Sequence, residues 1–502
     1  MFLPLYSLFL LYGKVFRLSF GPKTFVVVSD PDVAKDILLT NAKSYSKGLL
    51  AEILEFVMGT GLIPADGEVW RVRRRAIVPA LHKRYVNAMV GLFADSASHG
   101  ADKLATAAAA GQAVEMESFF SRLSLDIIGK AVFNYSFDSL THDDPVIAAV
   151  YCALREAEHR SIAIAPYWNL PLADVLVPRQ RAVKKAIATL NATLDTLVGE
   201  CRAMVERDDE AFVEEYLNRG DPSILRFLIA SGERVSSKQL RDDLMTMLVA
   251  GHETTAAVLT WTFYLLARHP EAAQAVRDEV EAVLGDSPPD IEGLQALRYT
   301  TRVVNESMRL YPQPPVLLRR ALEDVRIGAF DVPAGTDVFI ATWNLHRSPS
   351  LWARPHDFDP SRFGPLDAPG PSEFTTGYKY IPFGGGPRKC VGDQFAMLES
   401  VAAVAVLCRR FDFVLDPDGP EVGMTTGATI HTSHGLHLRL TERHGRGGGG
   451  GGGGGGHARP GEAPQQQGGE AGAAAGGAVG VQQLGGSKCP MGFGGAEAKV
   501  AR

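Results

Sequence analysis

A stretch of about 32 residues in the middle of the chain restricts the fold more than any other feature. Ser236 and Gln239 have the spacing of a capping box, so a helix can begin at residue 237. Arg268-His269-Pro270 ends it, because the residue before a proline avoids helical backbone angles. At ~1.5 Å per residue this helix is about 48 Å long. Its second half, AAVLTWTFYLLA, is apolar on every side, so it must run through a core rather than along a surface. With 502 residues, the chain can bury such a rod without disulfides.

The middle of that helix holds unusual chemistry for a buried segment: Ala250-Gly251-His252-Glu253-Thr254-Thr255. Gly251 costs about 1 kcal/mol against alanine. Glu253 is expensive to bury without partners. Thr254 can bond back to the carbonyl four residues earlier and loosen the helical ladder. Local rules broken within one turn point to a functional site. A bent helix with a solvated glutamate accounts for the same residues. The His252-Glu253 pair does not make a zinc site, because the second histidine expected at position 256 is alanine.

The segment Phe383-Gly384-Gly385-Gly386-Pro387-Arg388-Lys389-Cys390-Val391-Gly392 is the most informative. Its glycines permit backbone angles closed to other residues, so N–H groups can approach the Cys390 sulfur. A helix over 392–410 follows. A cysteine at a helix start beside Arg388 and Lys389 is expected to be thiolate-prone and fit to bind metal. A phosphate-cradling loop is excluded, since Lys389 is followed by cysteine rather than Ser or Thr. A nucleophilic cysteine remains open from this loop alone. The other cysteines (Cys152, Cys201, Cys408 and Cys489) are scattered and form no CxxC pair, which argues against a disulfide framework or a structural zinc. They read as small buried hydrophobes in a reducing compartment.

Glu306 and Arg309 lie three apart on a helix over residues 299–310 that Pro312 terminates. Taken alone, such a pair is usually a solvated surface pair. Residues 15 to 32 alternate and are rich in strand formers, which predicts a strand pair. Helical patterns dominate to about residue 312, short strands and turns occupy 316–345, and a loop-rich stretch runs to 389. The fold class expected is mainly α with a small β part, in one large domain over residues 1–442. Residues 443–502 contain the glycine run Gly447 to Gly456 and read as a disordered tail. The net charge of −6 carries no nucleic-acid signature, and no basic run is interleaved with aromatics. Met1 to Tyr12 is apolar but too short to span a bilayer, so it serves equally as a surface-lying membrane contact or a packed end segment.

Together these segments resemble the cytochrome P450 family. The haem-loop pattern F-x-x-G-x-R-x-C-x-G is met at Phe383, Gly386, Arg388, Cys390 and Gly392. The pattern A-G-x-[DE]-T is met at Ala250, Gly251, Glu253 and Thr254, and E-x-x-R at Glu306 and Arg309. P-x-R-F is met at Pro360, Arg362 and Phe363, and W-x-x-x-R at Trp70 and Arg74. Longer stretches, among them GLIPADGEVWRVRRRAIVPALH, LRDDLMTMLVAGHETTAAVLTWTFYLL, YPQPPVLLRR and MTTGATIHT, resemble the plastid carotenoid ring hydroxylases of plants and green algae, in particular those acting on β-rings.

The resemblance implies a P450 fold around haem b, with Cys390 as the axial thiolate and O2 as cosubstrate. It implies propionate contacts from Arg388, Trp70, Arg74 and Arg319, where the arginine fork suits carboxylates. It implies that Phe383 and Gly386 shape the cysteine loop, that Ala250 and Gly251 leave room for dioxygen, and that Thr254 and Glu253 deliver protons. Glu306, Arg309 and Arg362 are implied to be structural, as a buried charged network. Substrate contacts are implied in the loop from Leu49 to Gly61, at Met247 and Ala250, at Val316, Leu317 and Leu318, and at Thr425, Thr426 and Gly427. The substrate implied is a carotene hydroxylated at C3 of its β-ionone ring. A chloroplast location and additional chain in front, with a transit segment, are also implied. No flavin or nicotinamide fingerprint follows a strand, so electrons must come from a partner such as a plastid ferredoxin or a flavin reductase. Arg71, Arg73, Arg75, Lys83, Arg84 and Lys389 offer a basic face for an acidic donor. A hydroxylase of a fatty acid or terpene, a haem-thiolate isomerase or dehydratase, and a non-catalytic haem sensor are the alternatives. The intact Glu253-Thr254 pair argues against the last two.

Overall fold

In the computed structural model, which describes residues 2–20, 23–142, 145–163, 166–205, 223–230 and 236–443, the expected central helix runs from Ser237 to Arg268. Ser236 Oγ accepts the Gln239 N–H at 3.1 Å. The second half of the capping box is unused, because the Gln239 side chain reaches Thr60 and Asp243 instead. Leu259, Trp261, Phe263 and Leu266 are buried, as the all-round apolar pattern requires. The helix packs most extensively against the helix Met116–Ile128. Trp261 anchors the C-terminal half: its ring stacks on Tyr311 at 4.0 Å and its N–H bonds the Ile430 carbonyl at 2.7 Å.

The expected strand pair is Val15–Phe20 with Lys23–Val28, antiparallel. It belongs to a five-stranded sheet in which Lys23–Val28 runs parallel to Asp337–Ile340, and that strand pairs in turn with Leu317–Ala321. Tyr45–Ser46 closes the far edge. A three-stranded sheet joins Ala113–Glu115, His437–Glu442 and Phe411–Leu415, and a hairpin joins Met424–Thr426 to Ile430–Thr432. The fold is therefore mainly helical with a small β part.

One segment differs from expectation. The loop expected over Leu49 to Gly61 is largely a helix, Leu49–Met58, because Ile53, Leu54, Val57 and Met58 recur at helical spacing and are buried together. Gly59, at φ +51°, ends it, where a side chain would strike the Asp242 carboxylate. At the other end of the chain, the tail from 444 onward lies outside the described residues.

The apolar N-terminal segment forms the helix Phe2–Tyr12. Phe2, Leu5 and Phe9 are buried, with Phe2 against Trp343 at 4.5 Å, while Leu3, Leu10, Leu11 and Tyr12 are exposed. Among the described residues no helix is long and apolar enough to cross a membrane.

Candidate active site

The cysteine loop is held by contacts that few residues other than glycine permit. Gly384 and Gly386 sit at φ +72° and +66°. A Cβ on Gly386 would lie 1.8 Å from the Leu38 carbonyl oxygen, a backbone atom with no room to retreat. Cys390 N–H bonds the Phe383 carbonyl at 2.9 Å, and Gly392 N–H approaches the Cys390 sulfur at 3.3 Å. The helix Asp393–Arg410 begins immediately afterwards. The expectation that backbone N–H groups reach this sulfur is met by Gly392.

The sulfur lines a cavity of about 330 Å³ that is partly open to solvent. The central helix supplies Met247, Ala250, Gly251 and Thr254 to the same cavity. Thr254 Oγ donates to the Ala250 carbonyl at 2.7 Å, the back-bond read from the sequence, so its lone pairs are left for the cavity side. Gly251 also makes room for protein: a side chain there would strike Ile128 at 2.4 Å.

The flanking cations do not act on Cys390 as expected. Lys389 is drawn to Glu373 and Asp393, at 3.1 Å each, and Arg388 to Asp66. Burial pushes the Cys390 thiol above its ordinary value, opposed by the Gly392 N–H and, more weakly, by Arg74 and Lys389. The Cys390 side chain is exposed at the cavity wall, so its sulfur is open to a bound metal cation, whose charge favours the thiolate.

The charge of the cavity wall is one-sided. Among the described residues lining it are five cations, Lys47, Arg74, Arg319, Arg388 and Lys389, and no carboxylate. Arg388 stacks over Trp70 at 4.0 Å, and Arg74 lies 5.8 Å from the same ring. Burial together with neighbouring Arg388 pushes Arg319 down to about 10. Burial pushes Arg388 down to about 10 as well, with Asp66 opposing and Arg74 assisting. Lys47 is driven well below its usual range by burial and then by Arg319 and Arg388. Lys47 went unnoticed in the sequence, where a lone lysine carries no signal.

Glu306, Arg309 and Arg362 do come together. Arg309 grips Glu306 through Nε and Nη2, both at 2.8 Å, with both side chains fully buried. Arg362 Nε adds a bond at 2.9 Å. Arg309 also donates to the carbonyls of His346, Pro355 and Asp357, so its fork is saturated.

Other expected residues are distributed differently. Leu317 lines the cavity, whereas Val316 and Leu318 pack in the core around Phe339. The two-residue period of a strand puts neighbours on opposite faces, which separates residues that the sequence reading grouped. Thr426 pairs through its backbone with Ile430, and its side chain lies outside the described part. Arg73 is not on the basic surface: it is buried and paired with Asp243 at 2.7 Å. Glu253 does not line the cavity beside Thr254. Its carboxylate accepts from Thr429 Oγ at 2.9 Å and meets His431 Nε2 at 2.7 Å. His252 is buried against Ser121 Oγ at 2.7 Å, and the described residues contain no metal-ligating cluster.

A cavity walled by a cysteine sulfur, an excess of cations and a Thr-bearing helix turn defines a site for an anionic, metal-bearing cofactor. The family model for cytochrome P450 matches residues 3–437. The chain is 59% identical over 442 residues to Protein LUTEIN DEFICIENT 5, chloroplastic, of Arabidopsis thaliana, covering 88% of this chain and 74% of that one. It is 50% identical over 446 residues to the Carotene epsilon-monooxygenase, chloroplastic, of the same plant, covering 88% and 82%. Among solved structures, the haem domain of cytochrome P450DA superposes with a TM-score of 0.75 at 27% identity, covering 88% of this chain and 93% of that chain.

The chain belongs to the cytochrome P450 family. It is a monooxygenase that uses haem b, O2 and electrons supplied from outside the chain. The residues present fit that cofactor: Arg74 and Arg319, which have no carboxylate partner among the described residues, match two propionates, and the only cysteine lining the cavity among the described residues is Cys390.

Proposed function

We propose that this enzyme hydroxylates C3 of the β-ionone ring of a carotene, on the route to zeaxanthin and lutein, in a plastid. The observation that carries the reading is the division of the cavity. Cations gather around Cys390, while Leu50, Leu62, Ile63, Ile128, Ile224 and Leu317 make the remainder apolar, which suits a hydrocarbon held by shape. The resemblance of residues 61–82 and 424–432 to β-ring hydroxylases supports the choice of ring, and the 50% identity to a carotene epsilon-monooxygenase supports a carotene as substrate. Expression in carotene-producing bacteria supplied with a reductant tests it: hydroxylated β-rings are expected in the pigment extract. Recovery of β-carotene alone, from cells holding folded and reducible enzyme, would remove the assignment.

We assign the site residues as the geometry suggests. Cys390 would hold the iron, and Arg74, Arg319, Arg388 and Lys47 would hold the propionates, with Trp70 as the surface on which Arg388 lies. When bound, the haem supplies the oxygen activation and carbon–hydrogen oxidation. The protein orients the ring through its apolar wall. The Gly392 N–H bonds the sulfur and limits its electron donation. Thr254 holds a hydroxyl at the cavity with its own proton directed to Ala250, so it accepts a proton from the cavity side before giving one. Glu253 is the acid that feeds this turn. We assign residues 1–442 to the catalytic domain and 443–502 to a separate tail. The exposed leucines of Phe2–Tyr12 suit a peripheral contact with a membrane surface.

Electron delivery would use the helix Gly67–Ala80 and its continuation. Trp70 and Arg74 face the cavity, while Arg71, Arg75, Lys83 and Arg84 are exposed. An acidic ferredoxin or reductase docking there comes within about one helix diameter, ~10 Å, of the cavity. Arg73 and Lys389 are withdrawn from this surface by their carboxylate partners and Arg71 pairs with Glu68, so the attraction rests on Arg75, Lys83 and Arg84. Reduction by such a donor is expected to slow roughly tenfold between about 0.01 M and 0.15 M salt. A rate indifferent to ionic strength sinks the steering.

A further inference from the structure

The expected partner of Thr254 is turned away from the cavity, and what holds it is on the page. Glu253 Oε1 lies 2.7 Å from His431 Nε2, and Glu117 Oε1 lies 2.8 Å from His431 Nδ1. Thr429 Oγ is 2.9 Å from both Glu253 and His431. Thr432 Oγ and N–H bond the second oxygen of Glu117. Carboxylates only accept, so both ring nitrogens of His431 must carry protons, and the ring is an imidazolium.

We propose that His431 is the positioning residue for proton delivery: with Glu117 and Thr429 it parks Glu253 away from the cavity, and it reloads Glu253 with protons taken from solvent. This rests on Glu253 being the acid that serves Thr254. Three observations carry it. Two carboxylates and one imidazolium sum to one negative charge, so the group can take one more proton without burying an uncompensated cation. Exposure is graded: 32% of the His431 side chain and 20% of Glu117 reach solvent, against 8% of Glu253. Finally, the cation is a histidine. An arginine there could hold Glu253 but not release a proton.

The remaining titratable groups around the ring do not supply its charge. Tyr151 is pushed up to about 12 and His252 is pushed down, each chiefly by burial, so both are neutral. The Glu115 carboxylate caps the backbone of Glu117, Ser118 and Leu436. Glu158 approaches the hairpin at Gly427. Although burial opposes its charge, the bonds to Glu117 and Glu253 hold His431 at about 10. Because this lies above the ordinary 6.5, the stabilisation from this pairing is complete below pH 6.5 and is lost as pH rises through about 10.

In the step, the proton on His431 Nε2 moves to Glu253 Oε1. The neutral acid, no longer bound as an ion, turns toward the cavity and gives that proton up. The carboxylate swings back, and His431 regains a proton from solvent. Charge and atoms are restored each cycle, and no oxidant enters.

The test uses the holoenzyme with His431→Gln, His431→Lys and Glu253→Gln. Carbon-13 labelling of the histidine rings in the reduced, carbon-monoxide-bound protein is expected to show His431 titrating far above the ordinary histidine range. Glu253→Gln is expected to draw that value down by a unit or more, about tenfold in the proton equilibrium. The share of electrons reaching product, measured against pH, is expected to fall at least about tenfold in both His431 variants. Lysine keeps the ion pair to Glu253, but it lacks the second ring nitrogen through which an imidazole takes up one proton while giving another. His431→Lys with parental coupling and pH profile shows a purely structural role and overturns the inference, as does a His431 that titrates in the ordinary range. A parental Glu253→Gln enzyme instead removes the assignment of Glu253 itself, and this inference with it. An impaired Glu253→Gln beside a parental His431→Lys removes the inference alone.

Discussion

Alanine at position 390 is expected to abolish the red-shifted Soret band of the reduced, carbon-monoxide-bound protein and to leave no detectable turnover. The expectation comes from the composition of the cavity wall. Among the described residues no other cysteine lines it: Cys201 and Cys408 are buried in the core, and Cys152 lies on the helix Pro145–Ile162. Among the described residues no neighbouring cysteine can substitute. A Cys390→His protein can keep haem through the imidazole, but it loses the thiolate band and the electron donation on which oxygen activation depends. Absorbance spectra of the two variants, with haem content measured separately, decide the matter. A thiolate band surviving Cys390→Ala would show that the ligand has been misassigned.

The second large effect is structural. Removing Glu306 leaves the guanidinium groups of Arg309 and Arg362 buried without their shared carboxylate, because the Glu306 oxygens also receive the Asp359 N–H. Breaking a buried pair in this way costs about 3–5 kcal/mol. Against total stabilities of about 5–15 kcal/mol, that is enough to empty a large part of the folded population at working temperature. Glu306→Ala is therefore expected to lower the denaturant midpoint and the haem content of purified protein together. Arg362→Lys keeps a charge but loses the fork, and is expected to retain haem while unfolding at lower denaturant. Parental midpoints in both variants would remove the network from the account of stability.

Local chemistry determined which parts were readable in advance. The central helix was legible because its start and stop are written in Ser236 and Pro270 and its interior is uniformly apolar. The strand pair was legible from alternation. The ion network Glu306–Arg309–Arg362 was not, since two of its members are 53 residues or more from the third and an E-x-x-R spacing by itself is ordinary; the family resemblance carried it. The partner of Glu253 was missed for the same reason: His431 lies 178 positions away, on a hairpin read only for substrate contact. Arg73 was read as surface charge, because a run of arginines does not reveal which one turns inward to an aspartate. The helix Leu49–Met58 was the avoidable miss, as its apolar spacing is plain.

The press of Gly386 on the Leu38 carbonyl bears on how the protein matures. The loop that offers the sulfur rests on backbone made some 350 residues earlier, so the ribosome has released the early layer long before its counterpart emerges. A nascent chain that stops short of residue 390 has a Trp70–Arg74 face but no ligand to close over it. Cofactor capture is thus a late event in synthesis, and premature termination before residue 390 yields polypeptide that cannot be rescued by adding haem.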